Sequence, residues 1–331
     1  MLDDPTRSAA PILVAGGCGF IGSVVTRSLS HLGRTVRVLD DLSTGSAHSV
    51  AGLPNVRLIR GSVLDRTAVA AAADGVGAVL NFAGVVGMRL AASQAAHAYA
   101  VATTGTANLL AAGGDAPVAL CSSSAVYGLS DGSVSLHERL VIPRSVPRAY
   151  DGSDDGYATG KWEMEQLGLR ASDDRPVLIV RPFNVVGPGQ TARYGMVVPS
   201  FVRHALAGEA LPVFGDGTQR RCFSEVNEFV HLFLRLLRNP AAWSPGMNII
   251  NVGSTTETSI NQLAAATLAA TGSVAGVVYQ PYGQIFPGRR DVMARLPVVD
   301  RMCELAGRPD WPGLGSVIDQ LIGKRAGRAV A

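Results

Sequence analysis

The chain has almost no lysine. Among its 29 basic residues only Lys161 and Lys324 are lysines, so each marks a place where a compact ammonium stands in a chain that otherwise relies on arginine. Paired cysteines are missing as well. Cys18, Cys121, Cys222 and Cys303 lie far apart with no CxxC, which excludes a disulfide framework and a zinc spacing and leaves small buried thiols in a reducing compartment. Charge of one sign is also lacking: 29 basic against 26 acidic residues give a formal net charge of +3, too little positive field to grip a phosphate backbone, and no nucleic-acid partner is expected. No apolar run approaches the ~20 residues of a membrane span. Asp3, Asp4 and Pro5 stand where a signal peptide needs a basic start and an apolar run. Neither a membrane partner nor a metal is expected, and a cytoplasmic location is the default.

What the chain does have is length, 331 residues at 47% hydrophobic, enough for a large core in one or two domains. Its first half alternates short apolar, β-branched runs with alanine-rich stretches of helical length. Strands are expected at Ile12–Ala15, Thr35–Leu39, Val56–Arg60, Ala78–Phe82, Val118–Ser122 and Val177–Arg181, with helices at Phe20–Leu32, Ala92–Ala112 and Tyr157–Arg170. Parallel strands joined by crossover helices follow, hence an α/β, doubly wound parallel sheet (Rossmann). After about residue 185 the alternation loosens. Helices near Pro199–Ala207, Glu225–Leu237 and Ile260–Thr271 are separated by glycine- and proline-rich stretches. This predicts a nucleotide-binding domain over 11–185 and a smaller, mostly C-terminal substrate lobe over 186–322, with some strands returning to the first domain. Gly323–Ala331 reads as a mobile tail.

The first strand runs straight into Gly16, Gly17, Cys18, Gly19, Phe20, Ile21 and Gly22, then a helix. Glycine suits such a turn because the backbone bends sharply, approaches a pyrophosphate without a Cβ in the way, and packs helix against strand. The helix start offers free N–H groups to the phosphates. Glycine-rich turns also close ordinary strand-helix junctions, so the next strand matters: it ends at Asp40, at the distance where a carboxylate accepts hydrogen bonds from an adenosine ribose. A carboxylate there repels a 2′-phosphate and no arginine follows at once, so the expected cofactor is NAD and not NADP.

Tyr157 and Lys161 stand at i and i+4 on one helix face. A free phenol, with a pKa of about 10, is a poor base at neutral pH. A neighbouring ammonium and the positive nicotinamide ring would stabilise the phenolate. A YxxxK pair is more often a surface tyrosine near a surface lysine; against that stands one of only two lysines in the required place. Cys121 to Gly128 adds serines at a strand end, where a hydroxyl can bond a substrate oxygen and pass a proton to tyrosine, although serine clusters also form turns.

Together these residues resemble the extended short-chain dehydrogenase/reductases of the NAD-dependent nucleotide-sugar epimerase/dehydratase family, from about Pro11 to about Ile322. The matching stretches are Gly16–Gly22, Asp40–Gly45 (DDLSTG), Ser122–Gly128 (SSSAVYG), Tyr157–Lys161 (YATGK), Arg181–Gln190 (RPFNVVGPGQ), Phe214–Phe223 (FGDGTQRRCF) and Asn251–Ile260 (NVGSTTETSI). The resemblance implies Ser123 as the catalytic hydroxyl, Tyr157 as base and Lys161 as its partner. It implies Gly16, Gly19, Phe20, Ile21, Gly22, Asp40, Ser43, Gly45, Val63, Ala83, Tyr157 and Lys161 around NAD. For the substrate it implies Ser123, Asn184, Val198, Arg221 and an arginine near Asp291, for which Arg295 is chosen over Arg289 and Arg290. Guanidinium forks suit a diphosphate. A homodimer through two long helices is likewise implied.

The family dehydratases carry an Asp-Glu pair directly after the catalytic hydroxyl residue, and the decarboxylases keep a glutamate at the second of those positions. Here Ser124 and Ala125 stand there, which favours 4-epimerisation of a nucleoside-diphosphate sugar, UDP-linked, through a transient 4-ketosugar. Dehydratase, decarboxylase, reductase and redox-inert binding module remain as alternatives, with Glu138 or the Asp154-Asp155 loop as acids that could reach in. Where glucuronate-acting members place an arginine this chain has Thr191; Arg193 or Arg89 could substitute. Further departures are Gly160 for a serine or threonine, Ala102 for an asparagine that supports the catalytic helix, Ser62 for an aspartate, and Glu225 for an aromatic or histidine. The stretch Arg148–Gly156 looks longer than usual and is expected to form a substrate-side loop.

Overall fold

The computed structural model describes residues 9–139, 156–246, 248–288 and 290–326. The first half supplies strands β1 (Ile12–Ala15), β2 (Val36–Asp40), β3 (Val56–Arg60), β4 (Ala78–Asn81), β5 (Val118–Cys121) and β6 (Val177–Pro182). Between them run helices α1 (Phe20–His31), α2 (Arg66–Ala73), α3 (Met88–Ser93), α4 (Ala95–Ala112) and α5 (Gly156–Ala171). The second half adds β7 (Val185–Val186), β8 (Leu211–Phe214), β9 (Arg220–Cys222), β10 (Ser224–Glu225), β11 (Ile249–Val252), β12 (Glu257–Ser259), β13 (Val277–Gln280) and β14 (Ala294–Arg295). Its helices are α6 (Val197–Leu206), α7 (Val226–Arg238), α8 (Ile260–Thr271), α9 (Tyr282–Ile285), α10 (Asp300–Ala306) and α11 (Leu314–Ala326).

Among the described residues, seven parallel strands form one sheet in the order β11-β6-β5-β4-β1-β2-β3. Alternate residues of each strand feed opposite faces, which is why the strands read as nearly continuous apolar runs. Ile12 and Val14 join Val25, Phe229, Phe233 and Met302 on one face, whereas Leu13 and Ala15 join Val69, Val101, Leu109 and Met164 on the other. One face is thus covered by α1, α7 and α10 and the other by α2, α4 and α5. The order turns back at β1 and β4, so their C-terminal ends open a crevice at the switch point.

Past residue 185 the chain returns to this body three times, with α7 and α10 on the sheet and β11 as its edge strand. A separate apolar cluster ties α6 to α8 and α11 through Phe201, Val202, Leu263, Val317, Ile318 and Leu321. Helix α11 runs on to Ala326, so the first residues of the stretch expected as a tail, Gly323–Ala326, are helical; the rest of that stretch lies outside the described residues. The single helix expected over Ala92–Ala112 begins earlier and is broken at Gln94 (φ −129°, ψ 40°), giving α3 and α4. No helix among the described residues is long and apolar enough to cross a membrane.

Candidate active site

A cleft of about 1270 Å³ runs from the glycine turn after β1 to the short strands β9 and β14. At its first end the glycines act through missing atoms. Gly16 has φ +74°, and a Cβ there would lie 2.6 Å from the backbone nitrogen of Ala83; a Cβ on Gly22 would lie 2.1 Å from the Gly16 carbonyl oxygen. The turn can close this tightly only without side chains, and it presents the start of α1 to the cleft together with Gly19, Phe20 and Ile21.

Asp40, at the end of β2, is buried and works on this turn first. Its carboxylate accepts the Cys18 N–H at 2.8 Å and the Leu42 N–H at 2.9 Å, one on each oxygen, while burial pushes its pKa up. Each oxygen keeps lone-pair capacity for a further donor. Gly45 closes over the same turn, a Cβ there being 2.8 Å from the Cys18 backbone. Ala83 backs Gly16, Val63 is buried with its carbonyl accepting from Asn108, and Ser43 is exposed with its hydroxyl on Asp41. Thus Asp40, Gly45 and Ala83 stand around and behind the turn, Val63 packs against α4, and Thr44 is the residue of the Asp40–Gly45 stretch that reaches the cleft wall.

The middle of the cleft brings Ser123, Tyr157 and Lys161 together from β5's end and α5. Ser123 caps a single 3₁₀ turn (Ser124–Tyr127): its Oγ accepts the Ala125 N–H at 3.1 Å and hydrogen-bonds Tyr157. Burial pushes the Tyr157 phenol up to about 12; the Ser123 bond and the Arg295 charge pull it back, and Cys121 pushes it further up. Lys161 is buried and donates from Nζ to the Cys121 carbonyl at 2.6 Å, with burial lowering its pKa and Cys121 and Glu165 opposing that. Arg295 is the cation whose charge lowers the Tyr157 phenol, while the Lys161 ammonium donates to a strand-end carbonyl. Lys161 still borders the cleft, 3.5 Å from where a Gly84 Cβ would be.

The far end holds the remaining residues. Asn184 adopts φ +38° and donates from Nδ2 to the Cys222 carbonyl at 2.9 Å, and Val198 lies buried on α6. Arg221 and Arg295 are register partners on the parallel strands β9 and β14, which sets both on the same stretch of wall. Arg221 pairs with Asp291 at 3.2 Å, and Arg295 donates to the Gly128 carbonyl at 3.2 Å. Arg290 also borders the cleft, whereas Arg289 lies outside the described residues. Of the two arginines considered for an acidic sugar, Arg89 on α3 reaches the wall; Arg193 is exposed over the Tyr194 ring.

The other expectations divide similarly. Glu138 is buried away from the cleft wall, its Oε1 accepting the Asn251 N–H at 3.0 Å, so it is not an acid reaching the sugar. Asp154, Asp155 and the expected loop from Arg148 lie outside the described residues up to Gly156, which opens α5. Glu225 caps α7 through the Asn227 and Glu228 N–H groups, and Ser62 accepts the Leu64 N–H. Gly160 and Ala102 face each other where α5 crosses α4, and a Cβ on Gly160 would be 3.1 Å from the Ala102 Cβ. The two departures are complementary: both are small, so the helices meet closely. Unforeseen was a buried ion pair between Glu165 and Arg181 beneath the catalytic residues. Its signals, a carboxylate four residues after Lys161 and an arginine ending an apolar strand, were in view but on separate elements.

The model of the NAD dependent epimerase/dehydratase family matches residues 12–253. The chain is 32% identical over 311 residues to the UDP-N-acetyl-alpha-D-glucosaminuronate decarboxylase of Bacillus cytotoxicus, covering 90% of this chain and 93% of that protein. Among solved structures, MoeE5 in complex with UDP-glucose and NAD is 27% identical with a TM-score of 0.79, covering 97% of this chain and 100% of the other. The UDP-glucose 4-epimerase of Thermotoga maritima shares the fold at 22% identity with a TM-score of 0.83, covering 96% and 99%. The chain therefore belongs to the NAD dependent epimerase/dehydratase family, and NAD is its cofactor.

Proposed function

We propose that this protein is a nucleotide-sugar 4-epimerase acting on a UDP-linked sugar. The observation that carries this reading is a scarcity of carboxylates. Among the described residues Asp291 is the one acidic side chain on the cleft wall, and it is paired with Arg221. Ser124 and Ala125 border the cleft where elimination or decarboxylation would use acids, and Glu138 is engaged elsewhere. A serine hydroxyl is a poor acid at neutral pH and alanine transfers no proton, so among the described residues a ketone formed at C4 has no local partner for loss of water.

The cofactor end fits a dinucleotide, since the Cβ-free turn and the start of α1 suit a pyrophosphate and the remaining lone pairs of Asp40 suit ribose hydroxyls. Gly16, Gly19, Phe20, Ile21 and Gly22 would hold the phosphates, with Ser43, Gly45, Val63 and Ala83 shaping the surroundings and Lys161 and Tyr157 at the reacting end. Arg221, Arg295 and Asn184 would meet the substrate diphosphate, beside Val198. Tyr157 takes the proton of the sugar 4-hydroxyl, assisted by Ser123. When bound, NAD would supply a reversible hydride acceptor for C4, with the ketosugar free to turn between removal and return of the hydride. A firm hold on the nucleotide and a loose one on the sugar permit that turn. The long helices α4 and α5 are the proposed faces of a homodimer.

Incubation with UDP-sugars in deuterated water tests this reading. A 4-epimer without deuterium at C5 is expected, and a 4-keto-6-deoxy product overturns it. A second reading, decarboxylation of a UDP-uronate, has the Bacillus relative in its favour. Released carbon dioxide with a pentose product would establish that outcome instead.

A further inference from the structure

We propose that Glu165 and Arg181 are positioning residues, forming a buried clamp that holds both ends of the Ser122–Tyr127 segment and so keeps Ser123 aimed at Tyr157. The inference rests on the proposed reading in taking Ser123 and Tyr157 as the reacting pair. The carboxylate of Glu165 and the guanidinium of Arg181 meet in a two-pronged pair, Nε to Oε1 at 2.9 Å and Nη2 to Oε2 at 2.6 Å, with both side chains almost wholly buried. Such a fork fixes orientation as well as distance.

The pair reaches the catalytic segment at two points. Ser122, directly before Ser123, donates its hydroxyl to Glu165 Oε1. Tyr127, closing the 3₁₀ turn that Ser123 caps, accepts from Arg181 Nη1 at 2.9 Å and has its ring under the same guanidinium at 4.8 Å. The Tyr127 hydroxyl in turn donates to Asn251 Oδ1 at 2.8 Å, which anchors the far side of the clamp to β11. Ser123 lies between these two holds, and its Oγ, which accepts the Ala125 N–H, is the hydroxyl of the segment that meets Tyr157. Glu165 also lies on α5, one turn after Lys161 and two after Tyr157. One carboxylate therefore references the strand-end hydroxyl to the helix that carries the base and its lysine.

The arrangement explains a choice that stability does not require. A buried ion pair is weak evidence for stability, since apolar residues of similar volume often serve as well. Here every member is hydrogen-bonded, which is the condition under which a buried polar network specifies one geometry. The groups acting on the Tyr157 hydroxyl from its neighbouring elements are Ser123 and Cys121 from the end of β5 and Arg295 from β14. Loosening the clamp removes the Ser123 contribution, which favours the phenolate, and leaves the other two in place.

The test uses the NAD-bound protein with Ser122→Ala, Tyr127→Phe, the two combined, and Glu165→Gln. The first two remove one hydroxyl each and keep the ion pair, so they remain informative if Glu165→Gln does not fold. Two measurements are made: steady-state kinetics on the accepted UDP-sugar, and the phenolate titration of Tyr157 taken as the difference from matching Tyr157→Phe proteins. Each single variant is expected to lower kcat about 10-fold and the pair about 100-fold, with KM and NAD content retained. The Tyr157 titration and the acid limb of kcat should both move to higher pH. A folded, NAD-containing double variant with parental kcat and an unmoved titration overturns the proposal. If the parent epimerises no nucleotide sugar, the proposed function falls, while the titration still judges the clamp.

Discussion

At the glycine turn, position is set by atoms that are absent, and at the opposite end of the cleft by side chains carried on strands of two and three residues. A Cβ at Gly16 or Gly22 would strike backbone, which cannot move aside, so the shape of the cofactor end follows from residue identity at two positions. Arg221 and Arg295 meet only because β9 and β14 pair in register, and that pairing depends on the 71 residues of chain between the two strands, 223–293. Between the two ends, Tyr157 and Lys161 sit on a long helix whose placement depends on its crossing with α4 and on the Glu165–Arg181 pair. The comparison teaches which substitutions act through local geometry and which act through charge.

The largest effect is expected from Tyr157→Phe, which removes the proton acceptor and little volume. Turnover should be nearly abolished with NAD retained, as read by activity and by nucleotide content after isolation; activity within a few fold of the parent would remove Tyr157 from its role. Gly22→Ala should follow. Its added carbon would fall 2.1 Å from the Gly16 oxygen, so the turn must open, and NAD content should drop steeply while Ser123, Tyr157 and Lys161 stay in place. A Gly22→Ala protein that retains NAD would break the contrast drawn above.

Lys161→Met comes next and addresses pH. Lys161 donates to the Cys121 carbonyl, and Arg295 is the cation lowering the Tyr157 phenol, whose pKa burial pushes up to about 12. The base form is the deprotonated one, so activity rises with pH, and anything that lowers the phenol's pKa extends activity downward. If Lys161 acts on Tyr157 only in the loaded enzyme, Lys161→Met moves the acid limb of kcat to higher pH in the presence of NAD and leaves the tyrosine titration of the free protein unmoved. Movement in both would place the ammonium on the phenol from the start.

The two arginines then separate from each other. Both should raise KM for the nucleotide sugar when changed to glutamine, roughly 10-fold or more, the usual scale for a charge-assisted hydrogen bond. Arg295→Gln should also lower kcat, since its charge favours the Tyr157 phenolate, whereas Arg221→Gln should leave kcat near the parent value. Equal kcat losses in the two would mean that the register pairing, and not the charge on Tyr157, is what matters.

How much of this was legible in the sequence follows from the same contrast. The strands from Ile12 to Pro182 announced themselves because burial on both faces writes continuous apolar runs, and the turn because only glycine fits it. The pairing of Tyr157 with Lys161 beside a serine-rich strand end could be expected from an i, i+4 spacing, whereas the choice of Ser123 among its serine neighbours came from the family resemblance. The break at Gln94 could not, since an alanine-rich stretch has the same composition on both sides of a one-residue backbone change. Nor could the direction of the Lys161 ammonium, which depends on a carbonyl 40 residues away, or the choice of Arg89 over Arg193 at the wall. Partners on separate elements leave little local trace.

The smallest effect is expected at the helix crossing, where Gly160 and Ala102 depart together from the family pattern. A Cβ at Gly160 would be 3.1 Å from the Ala102 Cβ and 3.1 Å from the Tyr99 Cα, tight but open to adjustment by a few tenths of an ångström. Replacing a helical glycine gains about 1 kcal/mol of propensity for alanine, and overpacking costs about 1–3 kcal/mol, so the two nearly offset. Gly160→Ala should therefore shift the thermal midpoint by only a few degrees and kcat by a small factor. Four residues earlier the same change meets a different obstacle: a Cβ at Gly156 would lie 2.2 Å from the Ala95 carbonyl oxygen, backbone that the start of α4 holds in place. Gly156→Ala gains the same propensity but must push the helices apart, so its midpoint should fall well below that of Gly160→Ala, and Tyr157, the next residue, should lose kcat with it. Equal midpoints for the two variants would show that the crossing is loose, and that the small residues at 102 and 160 do not hold the catalytic helix close to α4.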